Sequence, residues 1–270
     1  MRSPLRWFHR RSEFAKQSTR RIELEEDFSK FRGTRVSFVP ADAKGGYDQI
    51  YYALEGREKF AVVRINNPHK RENDPIGALD PGIPLGPADR LEREWEAYTK
   101  LFPAGLSPQP IWKTTDAIIC SWIPWKRASE VLVKRRDLTW SVIDRSINAI
   151  RRMHDSGVIH LDLNTGNLLI EENGPGISII DFEFGPVDWV SLEQQMAFDY
   201  LRIIDDFVKP RRGGKVMLAN LEKLSVILDN AVPFEIRNAS MGFSLSKLKR
   251  IAAHEELRKA LAAVFPNLHE

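Results

Sequence analysis

The spacing of apolar residues divides the chain into two parts with different predicted structure. Up to about residue 122, most apolar residues fall in short β-like runs separated by turns, which predicts an antiparallel sheet. The runs are residues 36–39, 49–54, 59–65, 111–113 and 117–122. Residues 88–102 interrupt them with apolar side chains at helical spacing, and Glu94 is the glutamate closest to that apolar stripe.

The remainder of the chain is predicted to be mostly helical. Residues 138–155 form a strong amphipathic helix pattern, and residues 167–180 predict a small hairpin closed by an Asn-Gly-Pro-Gly turn. Further helical patterns follow at residues 192–208, 217–228 and 244–264. Pro124 breaks the strand pattern and marks the boundary between the two parts. We therefore predict an α+β protein with a β-rich N-lobe over residues 34–122 and a helical C-lobe over residues 123–270.

Residues 1–33 are predicted to be a basic arm followed by a short helix. The first 21 residues contain seven Lys or Arg and one acid, with aromatic residues among them. This composition suits adsorption to an anionic membrane surface, but it also suits a solvated terminus, because the apolar residues do not share one helical face. Gly33 is placed to end the short helix in the left-handed conformation.

A connection rich in proline and glycine lies inside the predicted N-lobe. Residues 66–87 contain five prolines and three glycines, which favours neither helix nor strand. A connection of this length is uncommon in a compact domain and is often functional, so the segment is either a functional element or a disordered insertion.

Overall composition excludes several classes of protein. The formal net charge of +3 is too small to predict wrapping of nucleic acid, and no apolar run approaches a membrane span. The single cysteine, Cys120, excludes an internal disulfide and a cysteine-cluster metal site. Together with the lack of a signal-peptide pattern at the N-terminus, these features predict a cytoplasmic protein.

The residues that can carry chemistry lie on the predicted hairpin. Residues 160–170 have the sequence HLDLNTGNLLI, and residues 179–183 have the sequence IIDFE. Asp162 precedes the hairpin, Asn167 begins its first strand and Asp181 ends its second, so all three can meet at one edge. Oxygen ligands of this kind suit Mg²⁺. Phosphoryl transfer requires neutralised phosphate charge and a carboxylate that takes the proton from the hydroxyl group receiving the phosphoryl group.

The pattern His-x-Asp-x-x-x-x-Asn followed by Asp-Phe-Glu resembles the catalytic loop and metal motif of the protein-kinase-like superfamily. The resemblance covers roughly residues 34–205 and implies a two-lobed kinase-like fold that uses ATP and Mg²⁺. It implies Asp162 and Asn167 as the catalytic residues, with Asp162 as the base, and Asn167 and Asp181 as Mg²⁺ ligands. Asp199 resembles the buried aspartate that braces the catalytic loop. Glu183 is a further candidate ligand or a loop-stabilising carboxylate.

The same resemblance assigns nucleotide-binding residues in the N-lobe. Glu94 would hold a strand cation, which is Arg64 where the superfamily has lysine. Gly45 and Gly46 either represent a reduced phosphate-binding loop or form a plain hairpin turn. The hinge that contacts adenine through its backbone would include the residues Ser121, Trp122 and Ile123. Trp122 and Trp125 either flank adenine or contribute to packing.

Departures from the pattern indicate an atypical member of the superfamily. Leu161 and Asn164 replace basic residues that many protein kinases have, and the segment after Asp181 is too short for a peptide-binding activation segment. The basic arm and the basic loop over residues 209–215 make the chain most similar to bacterial lipopolysaccharide core heptose or Kdo kinases. The expected acceptor is then a glycolipid core sugar, at the cytoplasmic face of the inner membrane, with no nucleic-acid partner.

Three alternatives to a lipopolysaccharide core kinase remain open. Within the atypical branch, the chain also resembles aminoglycoside phosphotransferases and the small ancient kinases that act on ribosomal or tRNA-modifying partners. Arg64 and the reduced glycine loop also suit a non-catalytic nucleotide-binding regulator. The intact set of Asp162, Asn167 and Asp181 favours an enzyme.

Overall fold

The computed structural model describes residues 4–41, 48–67, 80–239 and 247–268, with side chains described from Ser18 onward. The chain forms two compact units. Unit 1 comprises Met1–Lys70 and Pro110–Trp122, and unit 2 comprises Arg71–Gln109 and Ile123–Glu270. The helix that carries Glu94 therefore groups with unit 2, whereas the sequence analysis placed it within an N-lobe of residues 34–122.

The described strands and helices include the predicted elements and several short ones that the sequence patterns did not predict. The strands are β1 Val36–Pro40, β2 Gln49–Glu55, β3 Glu58–Ile65, β4 Gly82–Pro84, β5 Pro110–Lys113, β6 Ala117–Ser121, β7 Lys126–Arg127, β8 Leu168–Ile170, β9 Ile177–Ile179 and β10 Phe184–Pro186. The helices are α1 Pro4–Arg32, α2 Pro87–Leu101, α3 Ala128–Lys134, α4 Thr139–Asp155, α5 Leu192–Phe207, α6 Gly214–Leu218, α7 Leu221–Ala231, α8 Phe234–Arg237, α9 Lys249–Ala252 and α10 Glu255–Val264.

Unit 1 is built on a five-stranded antiparallel sheet with the strand order β1-β2-β3-β6-β5. Helix α1 packs on it through Leu24 and Phe28, both fully buried. The Phe28 ring is the centre of an aromatic cluster that contains Phe31, Phe38, Phe60 and Trp112. Helix α1 and this cluster therefore cover one face of the sheet.

Helix α1 differs from the predicted arm and short helix. It is a continuous helix of 29 residues, so residues 4–21 are helical rather than an irregular arm. Its C-terminal part is attached to unit 1 by polar contacts as well as by apolar packing. Arg20 Nε donates to Asp116 Oδ2 at 2.7 Å, and Phe38 N donates to Glu25 Oε2 at 2.6 Å. The helix ends at Gly33, which has a φ of +72°, as predicted.

Unit 2 combines helices with two small antiparallel sheets, β7-β8-β9 and β4-β10. Helix α4 has its predicted bounds within one residue, and Ile143, Ile147 and Ile150 are buried on one face. The predicted helix over residues 217–228 is divided into α6 and α7, because the Asn220 side chain caps α7 by accepting from Lys223 N. The described part of the last predicted helix is likewise divided into α9 and α10.

The proline- and glycine-rich connection forms one strand that the sequence analysis did not predict. Residues 68–79 lie outside the described part of the chain. Beyond them, β4 pairs with β10 antiparallel, and Leu85 N donates to Glu183 O at 3.1 Å. The end of this connection is therefore attached to the chain directly after Asp181. Two of the three residues of β4 are glycine and proline, which conceals a strand from a composition-based prediction.

The predicted fold class is confirmed. The protein is α+β, with an antiparallel β-rich unit near the N-terminus and a mostly helical C-terminal part. Among the described residues, no helix combines the length and the apolar composition that crossing a membrane would require.

Candidate active site

Residues 160–167, named the catalytic loop after the motif that they resemble, join helix α4 to strand β8. It is held in place by Asp199 of α5, which is completely buried. Asp199 Oδ2 accepts from His160 N at 2.8 Å, and Asp199 Oδ1 accepts from Leu161 N at 2.7 Å. His154 Nε2, at the end of α4, lies 3.1 Å from Asp199 Oδ2. A buried carboxylate with this many donors is well compensated, so Asp199 braces the loop as its resemblance implies.

His160 connects the catalytic loop to the segment that carries Asp181. Its Nε2 donates to Ile180 O at 3.1 Å, and its Nδ1 accepts from Asp162 N at 3.4 Å. Since a carbonyl only accepts, the neutral imidazole with its proton on Nε2 satisfies both contacts. The His160 ring also packs on Phe182, with ring centroids 4.6 Å apart.

Asn167 brings the metal-binding candidates into one place. Its backbone carbonyl accepts from Ile180 N at 2.9 Å, which sets Asp181 next to the start of β8. Its side-chain Nδ2 donates to Asp162 O at 3.2 Å. This orientation leaves Asn167 Oδ1 without a hydrogen bond from the described residues. The structure therefore brings Asp162, Asn167 and Asp181 together.

The donor set of this site fits Mg²⁺. Groups of three or more His, Cys, Asp or Glu side chains suited to a metal do not occur in the described part of the chain. Mg²⁺ does not require such a group, because it binds through one or two carboxylates and completes its shell with waters and substrate phosphates. Asn167 and Asp181 supply one amide and one carboxylate. The Glu183 backbone is fixed by its N–H, which donates to Asp181 O at 3.1 Å.

Two residues of the site have strained backbones. Leu161 has a φ of +69° and Asp181 has a φ of +77°, and they are the non-glycine residues with positive φ in the described chain. Such conformations cost free energy and persist where the surroundings enforce them, most often at functional sites. The backbone conformation of Leu161 is held by the hydrogen bond from its N–H to Asp199 and by the close approach of Gly82 of β4 to its side chain. A Cβ built on Gly82 would lie 2.8 Å from Leu161 Cδ1.

The sequence analysis missed a second set of contacts from helix α5 to the catalytic loop. Asp206 Oδ2 accepts from Thr165 N at 3.0 Å and from Thr165 Oγ1 at 2.6 Å. Arg202 Nη2 donates to Asp162 Oδ1 at 2.9 Å. Asp199, Arg202 and Asp206 have the spacing i, i+3, i+7 of one helix face, and this spacing is the sequence signal that could have revealed them.

The electrostatic environment of Asp162 combines opposing effects. Burial raises the pKa of its carboxyl above the ordinary value, and the charge of Asp181 adds to that rise. Arg202 acts in the other direction, because its positive charge and its hydrogen bond lower the pKa of Asp162. About one third of the Asp162 side chain remains exposed, so the carboxylate is accessible to a substrate.

Helix α2 contacts the residue that precedes the catalytic loop. Arg93 Nη2 donates to Ile159 O at 2.8 Å, immediately before the catalytic loop. Glu94 is buried, as its position on the apolar stripe predicts, and its carboxylate accepts from the Tyr98 hydroxyl. The Tyr98 ring packs edge-on against Phe182.

The nucleotide-binding candidates of unit 1 are described within that unit. Arg64 is buried on β3, and its Nη2 lies 3.2 Å from Asp48 Oδ2. Trp122 N donates to Phe60 O at 2.8 Å, and Lys59 Nζ lies 4.9 Å from the centre of the Trp122 ring. Ser121 ends β6, opposite Ala61. The chain passes from unit 1 to unit 2 between Trp122 and Ile123.

Three further expectations meet different outcomes. Gly45 and Gly46 lie outside the described residues. Trp125 lies against Gly176 in the β8–β9 turn, and its contact with adenine stays a prediction. In the basic loop 209–215, Lys209 and Arg212 form ion pairs with the buried Asp206, so these two cations stabilise the loop instead of facing an anionic ligand.

A known family matches the part of the chain that contains the catalytic loop, the metal-binding candidates and the two aspartates that brace the loop. Residues 89–206 match the model of the RIO domain. The RIO domain defines an atypical protein-kinase-like family. A protein of Methanocaldococcus jannaschii named RIO-type serine/threonine-protein kinase Rio2 is 31% identical to this chain over 105 residues. That match covers 36% of this chain and 34% of the relative, so the chain spans about a third of the relative's length.

The RIO match changes the predicted place of the chain within the superfamily. The sequence analysis favoured lipopolysaccharide core kinases, and the comparisons do not support that finer resemblance. They support the atypical branch, and within it the alternative of an atypical protein kinase. The RIO match includes Glu94, Asp162 and Asp181 but begins after Arg64.

Proposed function

We propose that this protein transfers the γ-phosphoryl group of ATP to a hydroxyl group of a protein. The observation that carries the proposal is the joined arrangement of Asp162, Asn167 and Asp181, in which Ile180 N and the Asn167 side chain link the three positions. The RIO match and the serine/threonine kinase name of the archaeal relative support a protein acceptor rather than a glycolipid sugar.

The proposed reaction is a direct displacement at phosphorus. The acceptor oxygen forms a bond to the γ-phosphorus while the bond from that phosphorus to the β–γ bridging oxygen breaks, so ADP leaves. The acceptor proton passes to the Asp162 carboxylate. Asn167 and Asp181 would hold Mg²⁺, which supplies neutralisation of phosphate charge when bound. Because the transferred group does not react covalently with the protein, the residues act mainly by positioning and charge.

An acceptor panel tests the proposal. Purified protein with Mg²⁺ and γ-labelled ATP is incubated with protein acceptors, dephosphorylated lipopolysaccharide core and an aminoglycoside panel, and Asp162→Ala serves as the blank. We expect label on serine or threonine that depends on Asp162, located by mass spectrometry. Label only on the core sugar or only on an aminoglycoside would show that the acceptor is not a protein, although the proposed phosphoryl transfer would still hold. Tight Mg·ATP binding without transfer to any acceptor would favour a non-catalytic regulator.

Arg64 supplies a second test of catalysis. Arg64 is paired with the buried Asp48, and a lysine there would present one ammonium where arginine presents a planar fork. We therefore expect Arg64→Lys to weaken ATP binding, because the site is built around arginine. A large gain in turnover would instead show that the natural arginine has lowered catalysis, as the regulator hypothesis requires.

A further inference from the structure

The catalytic loop contains no cation of its own near the proposed base. Residues 160–167 include neither lysine nor arginine. Asp162 nevertheless lies close enough to Asp181 for the two negative charges to interact. Within the described chain, the Asp162 carboxylate receives its side-chain hydrogen bond from Arg202 Nη2, at 2.9 Å on Oδ1. Helix α5 therefore supplies the positive charge that the loop lacks.

Arg202 lies between two fixed points of the same helix face. One turn before it, Asp199 holds the backbone N–H groups of His160 and Leu161. One turn after it, Asp206 holds Thr165 through both its backbone and its hydroxyl. The loop is thus fixed on both sides of Asp162, and Arg202 reaches the carboxylate from the middle of the same face.

The guanidinium is itself restrained. Its Nη1 lies 4.0 Å from Asp205 Oδ2, and the Arg202 side chain is about three-quarters buried. Asp205 is fully buried and is fixed in turn by Arg250 N at 2.7 Å and Ile251 N at 3.0 Å. An arginine held in this way directs its donors with little remaining rotational freedom.

We infer that Arg202 is a positioning residue for the proposed phosphotransfer. By binding Oδ1, it sets the rotation of the Asp162 carboxylate, so that Oδ2, which has no hydrogen bond from the described residues, faces the acceptor hydroxyl. This inference rests on the proposed function. Because the orientation of the base affects the chemical step and not nucleotide binding, loss of Arg202 lowers kcat while KM for ATP stays unchanged.

The test compares two variants with a matched control. We expect Arg202→Gln to lower kcat by about 10- to 100-fold, as loss of alignment in a positioned reaction does. Arg202→Lys keeps the charge and restores part of the rate. Arg151→Gln removes an exposed arginine of α4 and leaves kcat unchanged. A raised KM with an unchanged kcat, or a normal rate for Arg202→Gln, would overturn the inference.

A double-mutant cycle shows whether Arg202 acts through Asp162. In an Asp162→Asn background, Arg202→Gln should cause no further loss of the residual rate, because the oriented base is already absent. An equal loss in both backgrounds would overturn the inference. The same four proteins unfolded in urea should show coupling between the two residues, and additivity there would overturn the contact. Absence of transfer by the wild-type protein to every acceptor would overturn the proposed function itself, which is a distinct outcome.

Discussion

At the scale of single residues, the site depends on buried acids that serve the backbone. Asp199 and Asp206 are buried, and each accepts several hydrogen bonds from the catalytic loop. The pKa of Asp206 is below its ordinary value, because hydrogen bonds from Lys209 and Thr165 outweigh the burial that alone would raise it. These carboxylates hold the loop in a conformation that includes the strained Leu161.

Replacing Asp199 should therefore affect stability and activity together. In Asp199→Asn, an NH₂ group replaces one carboxylate oxygen. Since an NH₂ group only donates, either His160 N or Leu161 N then lacks an acceptor. We expect a loss of about 2–4 kcal/mol in the free energy of unfolding, together with a lower kcat, measured by urea denaturation and ATP turnover. Asp155→Asn, an exposed carboxylate of α4, is the control. Equal stability of the two variants would contradict the bracing role.

At the scale of elements, helix α1 and strand β4 each cover an important surface within their own unit. Helix α1 covers the sheet of unit 1, and β4 covers the catalytic loop of unit 2 through the contact of Gly82 with Leu161. Both are places where the structure differs from the sequence analysis. The sequence patterns predicted only the second part of α1 as a helix, and they placed the residues of β4 in an irregular connection.

The Gly82 contact predicts a specific sensitivity. A methyl group at Gly82 would lie 2.9 Å from Leu161 Cβ and 3.2 Å from Gly185 O, so the loop or the β4–β10 pair must move. We expect Gly82→Ala to lower the free energy of unfolding by about 1–3 kcal/mol and to reduce turnover by displacing Leu161. The comparison is Gly86→Ala, whose nearest contact is the end of the flexible Asp89 side chain. Unchanged turnover in Gly82→Ala would contradict the covering role of β4.

A pair of phenylalanines tests the packing of α1. Phe28 is completely buried, whereas Phe31, one turn later, is 57% exposed. We expect Phe28→Ala to destabilise the protein by about 3–5 kcal/mol, as truncation of a buried aromatic ring does. Phe31→Ala should cost less than about 1 kcal/mol. Thermal unfolding of both variants is the measurement, and equal costs would show that α1 is not packed as described.

The sequence could predict elements whose pattern is local. The meander over residues 36–65, helix α2 with its buried Glu94, and the hairpin of β8 and β9 all follow from apolar periodicity and turn residues. The β4–β10 pairing joins residues about 100 positions apart, so no local pattern indicates it. The contact of Arg202 with Asp162 is similar, because its partner lies 40 positions earlier.

At the scale of the whole molecule, the RIO match covers the candidate active site of unit 2 and little of the sheet of unit 1. Residues 89–206 contain most of α2, the catalytic loop and most of α5, but only β5 and β6 of the sheet in unit 1. Residues of unit 2 therefore support the proposed phosphotransfer more strongly than residues of unit 1. The nucleotide-binding role of Arg64 remains a prediction from the resemblance.

The pH dependence of unfolding should report the attachment of α1. The hydrogen bond from Arg20 holds the pKa of Asp116 below its ordinary value. The stabilisation is therefore complete above the unfolded-state pKa of about 3.9, and it disappears as the pH falls through the lower folded-state pKa. We expect Asp116→Asn to be less stable than wild type at neutral pH and equally stable near pH 2. A difference that persists in acid, or that 1 M salt does not reduce, would contradict the ion pair.

In the proposed phosphoryl transfer, Asp162 and Asp181 perform different parts of one reaction. The most direct measurement determines, for wild type, Asp162→Asn and Asp181→Asn, both the affinity for Mg·ATP and the rate of γ-phosphoryl transfer to a protein acceptor. We predict that Asp162→Asn binds Mg·ATP normally and loses about 100-fold or more in kcat, as loss of a general base requires. Asp181→Asn should lose Mg²⁺-dependent binding. Full turnover by Asp162→Asn, or unchanged Mg²⁺ dependence in Asp181→Asn, would contradict this account.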